Sequence, residues 1–560
     1  MRKILSVIFV LSLGFLPRLS GQGFISGSFQ SNTNFFIRDS SIGAANLPHY
    51  DNLKIGTDVW FNLNYSNPKY EIEAGVRFDA FLNSIIRNPT APYTGVGLGS
   101  FYIKKKFKDL TISAGYLYDQ IGTGMIYRAY EERTLGIDNA LVGGRVEYNI
   151  KEIIKLKAFA GVQKNVFTIY KPIILGFNAD GNFSLANGKV ILAPGIGVID
   201  RSMDQASIDN VVTQIEAMDS TQRFVPKYNM YAFSFYNTLT AGPVSWYVEG
   251  CYKTKEAVYG MGNVLQNVDG NAVYTSLNIS KPGIGITLQF KRTENFTMRT
   301  SPNEKLFNGL MNFHPPVPKQ NSLRLPSRYF APSLEQHELA FGGEINFSPN
   351  KKWAFTIVGS HVRDFLFKSA LLKEQVITPR ATGGGNDTTY KDHKYFFTEL
   401  AAEARFKPNR NFEIELGFQY VHYNRRMYRL DGEYDVDSYT PYAEFTYRLK
   451  KRMSYRIEVQ YQYVPKDFGQ WIYALFEFNI APSFSVAVSD MWNFAPNKNN
   501  VEPIYQTDHH FYSIFASYTH GAHRISLNYV KQVGGIVCTG GVCRYEPAFS
   551  GVKLAITSTF

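Results

Sequence analysis

Arg128, Glu131, Glu132 and Arg133 fall within six consecutive positions, with Asp119 and Asp138 on either side. Two arginines among this many acids can neutralise one another. Charge held away from water needs partners, so such a set suits the constriction of a polar passage, and these six residues are the pore-constriction candidates. The same composition also suits a solvated outside loop, and spacing alone leaves both readings open. Other chemistry is sparse. His509 and His510 beside Asp508 lack further metal ligands. Asp431, Glu433, Asp435 and Asp437 offer oxygens to calcium without the glycine and spacing of a dedicated loop. No Gly-x-Ser-x-Gly, His-Glu-x-x-His or phosphate-binding loop occurs. The expectation is therefore a protein that is not an enzyme and carries no cofactor. Cys538 and Cys543 flank Thr-Gly-Gly-Val, a spacing that suits a disulfide in an oxidising compartment, with two free thiols as the alternative; Cys251 stands alone in a strand pattern.

The elements that must position these residues have a period of two. Met453, Tyr455, Ile457, Val459, Tyr461 and Tyr463 alternate with Ser454, Arg456, Glu458, Gln460 and Gln462, giving one lipid-compatible face and one wet face. The same split runs through Tyr70 to Asp79 and Phe412 to Gln419. A soluble sandwich would also alternate, but these segments commonly run about 12 to 15 residues, where a tilted transmembrane strand needs ~9–11. Tight turns such as Ala241-Gly242-Pro243 and Lys281-Pro282-Gly283 are separated by longer polar loops, the pattern of short periplasmic turns against long outside loops. The chain closes on Val552, Leu554, Ile556, Ser558 and Phe560, and the terminal aromatic residue fits the signal read by barrel-assembly machinery.

The pattern predicts an all-β fold: one large antiparallel transmembrane β-barrel of about 24 strands, range 18–26, with both termini in the periplasm. The expected strands are near 24–38, 52–66, 69–82, 97–107, 110–121, 139–149, 153–167, 172–184, 189–200, 227–240, 244–256 and 271–280, followed by 284–297, 335–348, 352–366, 395–407, 411–424, 436–449, 452–464, 469–481, 484–492, 510–519, 522–532 and 547–560. Arg2 and Lys3 followed by an apolar run from Ile4 to Leu16 predict a signal peptide over residues 1–21, leaving 22–560 as the barrel. Removing Arg2, Lys3 and Arg18 lowers the formal charge of +12 by three, to +9. The remaining Lys and Arg are scattered without a basic block, which points to outer-membrane lipid and lipopolysaccharide as surroundings and away from nucleic acid.

Barrels of ~16–18 strands already enclose a channel and one of ~22 is usually plugged. Strand pattern begins a few residues after the expected cleavage point, so no separate plug domain is expected and the filling falls to loops folded inward. The candidates are 122–138, 201–226, 298–334 and 367–394. In 201–226, Ile208, Val211, Val212, Ile215 and Met218 lie near helical spacing. The Pro-rich 298–334, which carries Arg324 and Arg328, predicts an ordered irregular segment.

The stretches from Ile25-Ser26-Gly27 to Asp39, from Gly115 to Gly124, and above all Arg128-Ala129-Tyr130-Glu131-Glu132-Arg133-Thr134-Leu135-Gly136-Ile137-Asp138 resemble an uncharacterised, porin-like outer-membrane β-barrel family of the Bacteroidota. The resemblance implies location and fold and carries no activity. Two functions follow as expectations: a channel or transporter for small solutes, or a non-conducting barrel serving an envelope complex for secretion, outer-membrane protein assembly or surface-lipoprotein export, with envelope proteins as partners.

Overall fold

In the computed structural model, residues 23–259, 265–304, 308–335, 337–364, 395–429, 435–500, 502–539 and 542–560 are described. The expected leader, the 367–394 segment, Asp431 and Glu433 lie outside them.

Alternation becomes an inside-out wall. In Met453–Val464, Ile457, Val459 and Tyr463 are exposed on the outer face, whereas Glu458, Gln460 and Gln462 are buried on the inner one. Phe235, Ile357, Leu400, Leu416, Ile514 and Leu527 continue the outer apolar surface on other strands. An apolar exterior around a polar interior is the reverse of a water-soluble domain, and it suits a hydrocarbon surround.

The main sheet has 25 strand segments. Phe183–Leu185 continues Thr168–Gly181 along the same partner, Val190–Ser202, so the barrel has one strand fewer, 24. All pairings are antiparallel between neighbours in sequence, and the ring closes where Phe24–Phe36 pairs with both Ile55–Asn67 and Phe549–Thr559. Phe560 sits on this seam: its backbone N–H donates to Gly27 O at 3.0 Å and its O accepts from Gly27 N–H at 2.8 Å. The seam therefore gains two bonds from the final residue. With an even strand number, both ends of the ring lie at the end that carries the tight turns.

The strand count matches the expectation, including the stretch 153–200. Boundaries differ where side chains leave the wall. The second strand begins at Ile55, not residue 52, because Tyr50 turns inward and is fully buried, its hydroxyl donating to Ala548 O at 2.8 Å. The strand expected over 110–121 ends at Leu117, beyond which Asp119 is drawn inward by Arg145 and Lys157. The helix expected in 201–226 is Gln205–Glu216, and Val211 and Ile215 pack on Ala257 and Leu265 at the rim. The irregular character of 298–334 also holds among its described residues, interrupted by the 3-10 turn Pro326–Arg328. Among the described residues no helix is long and apolar enough to cross a membrane.

Candidate functional site: a loop layer inside the barrel

Among the described residues, two connections that hydrogen-bond to each other fold into the lumen. The first, 118–140, makes two short hairpins, Asp119–Ile121 with Tyr127–Ala129 and Glu131–Glu132 with Ile137–Asp138. Gly122 and Gly124 at its first turn have φ of +54° and +98°, a region that a side chain would strain. Ile121, Met125, Ile126, Tyr127, Leu135 and Ile137 are buried, so this segment is no solvated outside loop. The wall accommodates it at Gly197, where an added Cβ would stand 2.3 Å from Ile121 Cγ2. Glu249, on the inner face of the strand Val244–Tyr259, anchors the turn by accepting from the Thr123 backbone N–H at 2.9 Å and its hydroxyl at 2.5 Å.

The second connection, 295–336, crosses the interior. On one side the Arg128 N–H donates to Met311 O at 2.8 Å, the Phe313 N–H to Gly124 O at 2.9 Å, and Asn312 Nδ2 to Met125 O at 3.1 Å and Phe296 O at 2.8 Å. On the other, the Leu325 N–H donates to Gln460 Oε1 at 2.7 Å, Gln462 Nε2 to Leu325 O at 2.9 Å, and the Tyr329 hydroxyl to Asp467 Oδ2 at 2.8 Å. His314 is buried within this crossing, its Nε2 3.0 Å from Phe296 O. Burial pushes its pKa down to about 4, against a smaller opposing pull from Glu335.

The structure distributes the six sequence candidates among several roles. Glu131 and Asp138 share one guanidinium, that of Arg77, which also donates to Asp79 at 2.8 and 2.9 Å. Lys164 adds a second cation on Asp138, and the Tyr118 hydroxyl donates to it at 2.9 Å. Arg133 pairs with Glu131 at 2.7 Å, donates to Gln30 at 2.8 Å and lies over the Trp60 ring. Asp119 belongs to a separate cluster, 3.0 Å from Arg145 and 2.6 Å from Lys157. Glu132 accepts locally from the backbone and hydroxyl of Thr134. Arg128 departs from the expected pairing: its guanidinium is held between the rings of Tyr130 and Phe313, 4.4 and 4.1 Å from their centroids.

Sequence reasoning missed the partners on the wall. Arg77 and Asp79 on Ile72–Ser84 and Lys164 on Ile154–Asn165 are buried inward-facing residues, and further along the ring Lys253 pairs with Glu256 at 2.7 Å and Lys291 with Glu338 at 2.7 Å. Their inward phase was readable from the alternation; the loop oxygens they meet, Thr297 O for Lys253 and Pro315 O for Lys291, were not.

Toward the turn end the same inner face is wet. Glu73 and Lys104 pair at 3.3 Å with 49% and 38% of their side chains exposed, and Arg456 joins Glu444 and Glu477. Toward the loop end, a cavity of about 2040 Å³ opens, lined among others by Arg133, Thr134, Tyr170, Glu304 and Glu502. The layer thus lies between two wet compartments.

The remaining motifs lie apart. His510 Nδ1 is 2.7 Å from Asp490 Oδ2 and stacks on Trp492, while His422 faces Asp435 and Asp437. Among the described residues no group of three or more His, Cys, Asp or Glu is placed to hold a metal ion. Cys538 and Cys543 are paired in register in the hairpin of Gly535–Thr539 and Val542–Glu546. Cys251 is buried and free.

The whole chain, residues 1–560, matches the family of unknown function DUF6029. The chain belongs to this family. No curated protein matches it. Among solved structures it is similar to the siderophore receptor PirA from Pseudomonas aeruginosa (10% identity, 97% of this chain and 81% of that one, TM-score 0.40). It is also similar to the P pilus usher PapC translocation pore (9%, 96% and 99%, 0.43) and to Pseudomonas aeruginosa OpdK with vanillate (8%, 98% and 100%, 0.35).

Proposed function

We propose that this DUF6029 barrel is a channel or transporter for small solutes in the outer membrane of a Gram-negative cell, its turn end and both termini facing the periplasm. The observation that supports this best is the arrangement along the barrel axis. Water-accessible ion pairs lie on one side, an open vestibule of about 2040 Å³ lies on the other, and loop segments come between them. The wall is a continuous hydrogen-bonded ring whose opening would strand many backbone groups in lipid. The layer is fastened by a limited set of side-chain and backbone bonds, so it is the part that can yield to a solute. In this reading Glu131, Arg133 and Asp138 face the passage, while Asp119, Arg128 and Glu132 set the shape of the loop that presents them.

Single-channel recording tests the reading directly, comparing the refolded protein with a variant in which residues 122–137 are replaced by a short Gly-Ser linker. The expected result is small or intermittent conductance for the natural protein and larger, steady conductance for the variant. Closed bilayers with both proteins, each shown to be folded, would overturn it and direct the search to envelope partners.

A further inference from the structure

The second half of the lumen holds a cluster of cations that the described carboxylates do not match. Arg425 pairs with Asp467 and Glu502, and Arg429 with Glu502, so both of these acids are engaged. Asp467 also accepts from the Tyr329 hydroxyl at 2.8 Å and Asn500 Nδ2 at 2.9 Å. Arg328 is different. Its guanidinium carbon stands 3.9 Å from the Trp471 ring centroid, 4.3 Å from Phe468 and 5.6 Å from Tyr505, and its Nη1 is enclosed without a hydrogen-bond partner. Aromatic faces satisfy the plane of a guanidinium but leave its N–H edge unserved. Arg324, four residues earlier in the same crossing segment, has a side chain accessible from the space within the barrel, and among the described residues no carboxylate forms an ion pair with it. Its seat inside the barrel, and then the neighbouring Arg328 charge, hold its pKa below the ordinary arginine value, against an opposing pull from groups that include the Glu546 carboxylate.

These two arginines line one cavity of about 280 Å³, whose wall also includes Tyr423, Met491 and Val533. Arg429, Tyr505, Val533 and Gly534 line both this cavity and the large vestibule, so the two spaces adjoin. Two like charges crowded together, with Glu546 acting on Arg324 but forming no ion pair with it, are unfavourable. An anion with an apolar body relieves that repulsion.

We propose that this cavity binds a small organic carboxylate, its charge between Arg324 and Arg328 and its apolar body against Tyr423, Met491 and Val533. This assigns a substrate class to the channel reading and rests on it for its biological meaning, but binding itself can be measured without transport. Trp471, fully buried and stacked on Arg328, is a built-in reporter.

Benzoate is the probe, titrated into the full-length folded protein in detergent and followed by calorimetry and tryptophan fluorescence, with benzamide and inorganic phosphate as controls. Saturable benzoate binding, at least tenfold weaker benzamide binding, and a loss of at least tenfold in affinity for Arg324→Gln and Arg328→Gln would support the site; Arg328→Lys, which keeps the charge but not the planar fork, should recover part of the loss. Arg324→Gln guards against a trivial folding failure because it breaks no ion pair. Equal binding of benzoate and benzamide, binding of phosphate alone, unchanged benzoate affinity in Arg324→Gln, or no binding at millimolar benzoate would each overturn the proposal. Benzoate binding with closed bilayers would leave the site standing and remove the channel reading.

Discussion

Two charge clusters occupy opposite sides of the same lumen, and their stoichiometry differs. Around Arg77, three cations (Arg77, Arg133 and Lys164) meet three carboxylates (Asp79, Glu131 and Asp138). Around Arg328, four arginines (Arg324, Arg328, Arg425 and Arg429) face three carboxylates, of which Asp467 and Glu502 are taken by Arg425 and Arg429 and Glu546 acts on Arg324 without an ion pair. A balanced cluster is complete without a ligand and acts as a clamp between wall and loop. An unbalanced one keeps a vacancy for charge. Position in the barrel does not separate the two roles; the count of partners does.

The largest test of that difference is Arg77→Met. It leaves Asp79, Glu131 and Asp138 with one guanidinium fewer in a buried setting, and loss of one partner from such a set costs about 3–5 kcal/mol. The expected outcome is a marked drop in the yield and urea resistance of the heat-modifiable folded form. Arg77→Lys should recover little, because a point charge cannot make the paired 2.8 and 2.9 Å bonds to Asp79 while also reaching Glu131 and Asp138. A stable Arg77→Met barrel would show that the balanced cluster is no clamp.

That Arg77 matters was only half legible. The alternation in 69–82 put it on the wet face, and the composition of 128–138 marked a self-neutralising segment. What joins them is a contact 61 positions apart in the chain, between Arg77 and Asp138, and no local pattern records it. The wall was legible because its rule is local: period two against two solvents leaves each strand one permitted phase. The lumen follows a different rule, in which a residue is satisfied by whatever the crossing loop brings to it. Arg128 illustrates the difference. Its spacing from Glu131 and Glu132 suggested an ion pair, yet Phe313, in a distant loop, completes an aromatic clamp around it. Helix Gln205–Glu216 was readable for the same reason as the strands, since Ile208, Val211 and Ile215 repeat at helical spacing.

Smaller effects probe the crossing segment that bonds to the 118–140 loop and carries Arg328. His314 is held neutral by burial, with a folded pKa of about 4 against an ordinary value of 6.5. When the layer opens, the ring takes up a proton at any pH below about 6.5, while the closed form does not until about 4. The closed layer therefore loses stability as pH falls through that window, by up to about 3 kcal/mol, and the loss levels off below it. Hydrogen exchange of the 296–314 amides should accelerate accordingly, and His314→Gln should flatten the added slope; His49, also lowered by burial, contributes in the same direction and serves as the control substitution. Next in size is Asn312→Ala. It removes the donations to Met125 O and Phe296 O and the acceptor for the Met298 N–H at 3.2 Å, leaving buried backbone groups unpaired at about 1–3 kcal/mol. Faster exchange and raised conductance are expected together. Faster exchange with unchanged conductance would separate the seam from the passage.

Arg324→Gln should have the smallest effect on stability, and for that reason it sharpens the comparison most. A clamp residue contributes through bonds already made. A ligand-holding residue contributes nothing until the ligand arrives, and here its charge faces that of Arg328. Without ligand, removing it should change stability by no more than about 0.5 kcal/mol, with any shift toward greater stability. With saturating benzoate, the natural protein should gain resistance to urea as bound ligand favours the folded form, and the variant should not. If Arg324→Gln instead weakened the ligand-free barrel as Arg77→Met does, both clusters would be clamps, and the excess positive charge in the second half of the lumen would be matched by something other than a solute.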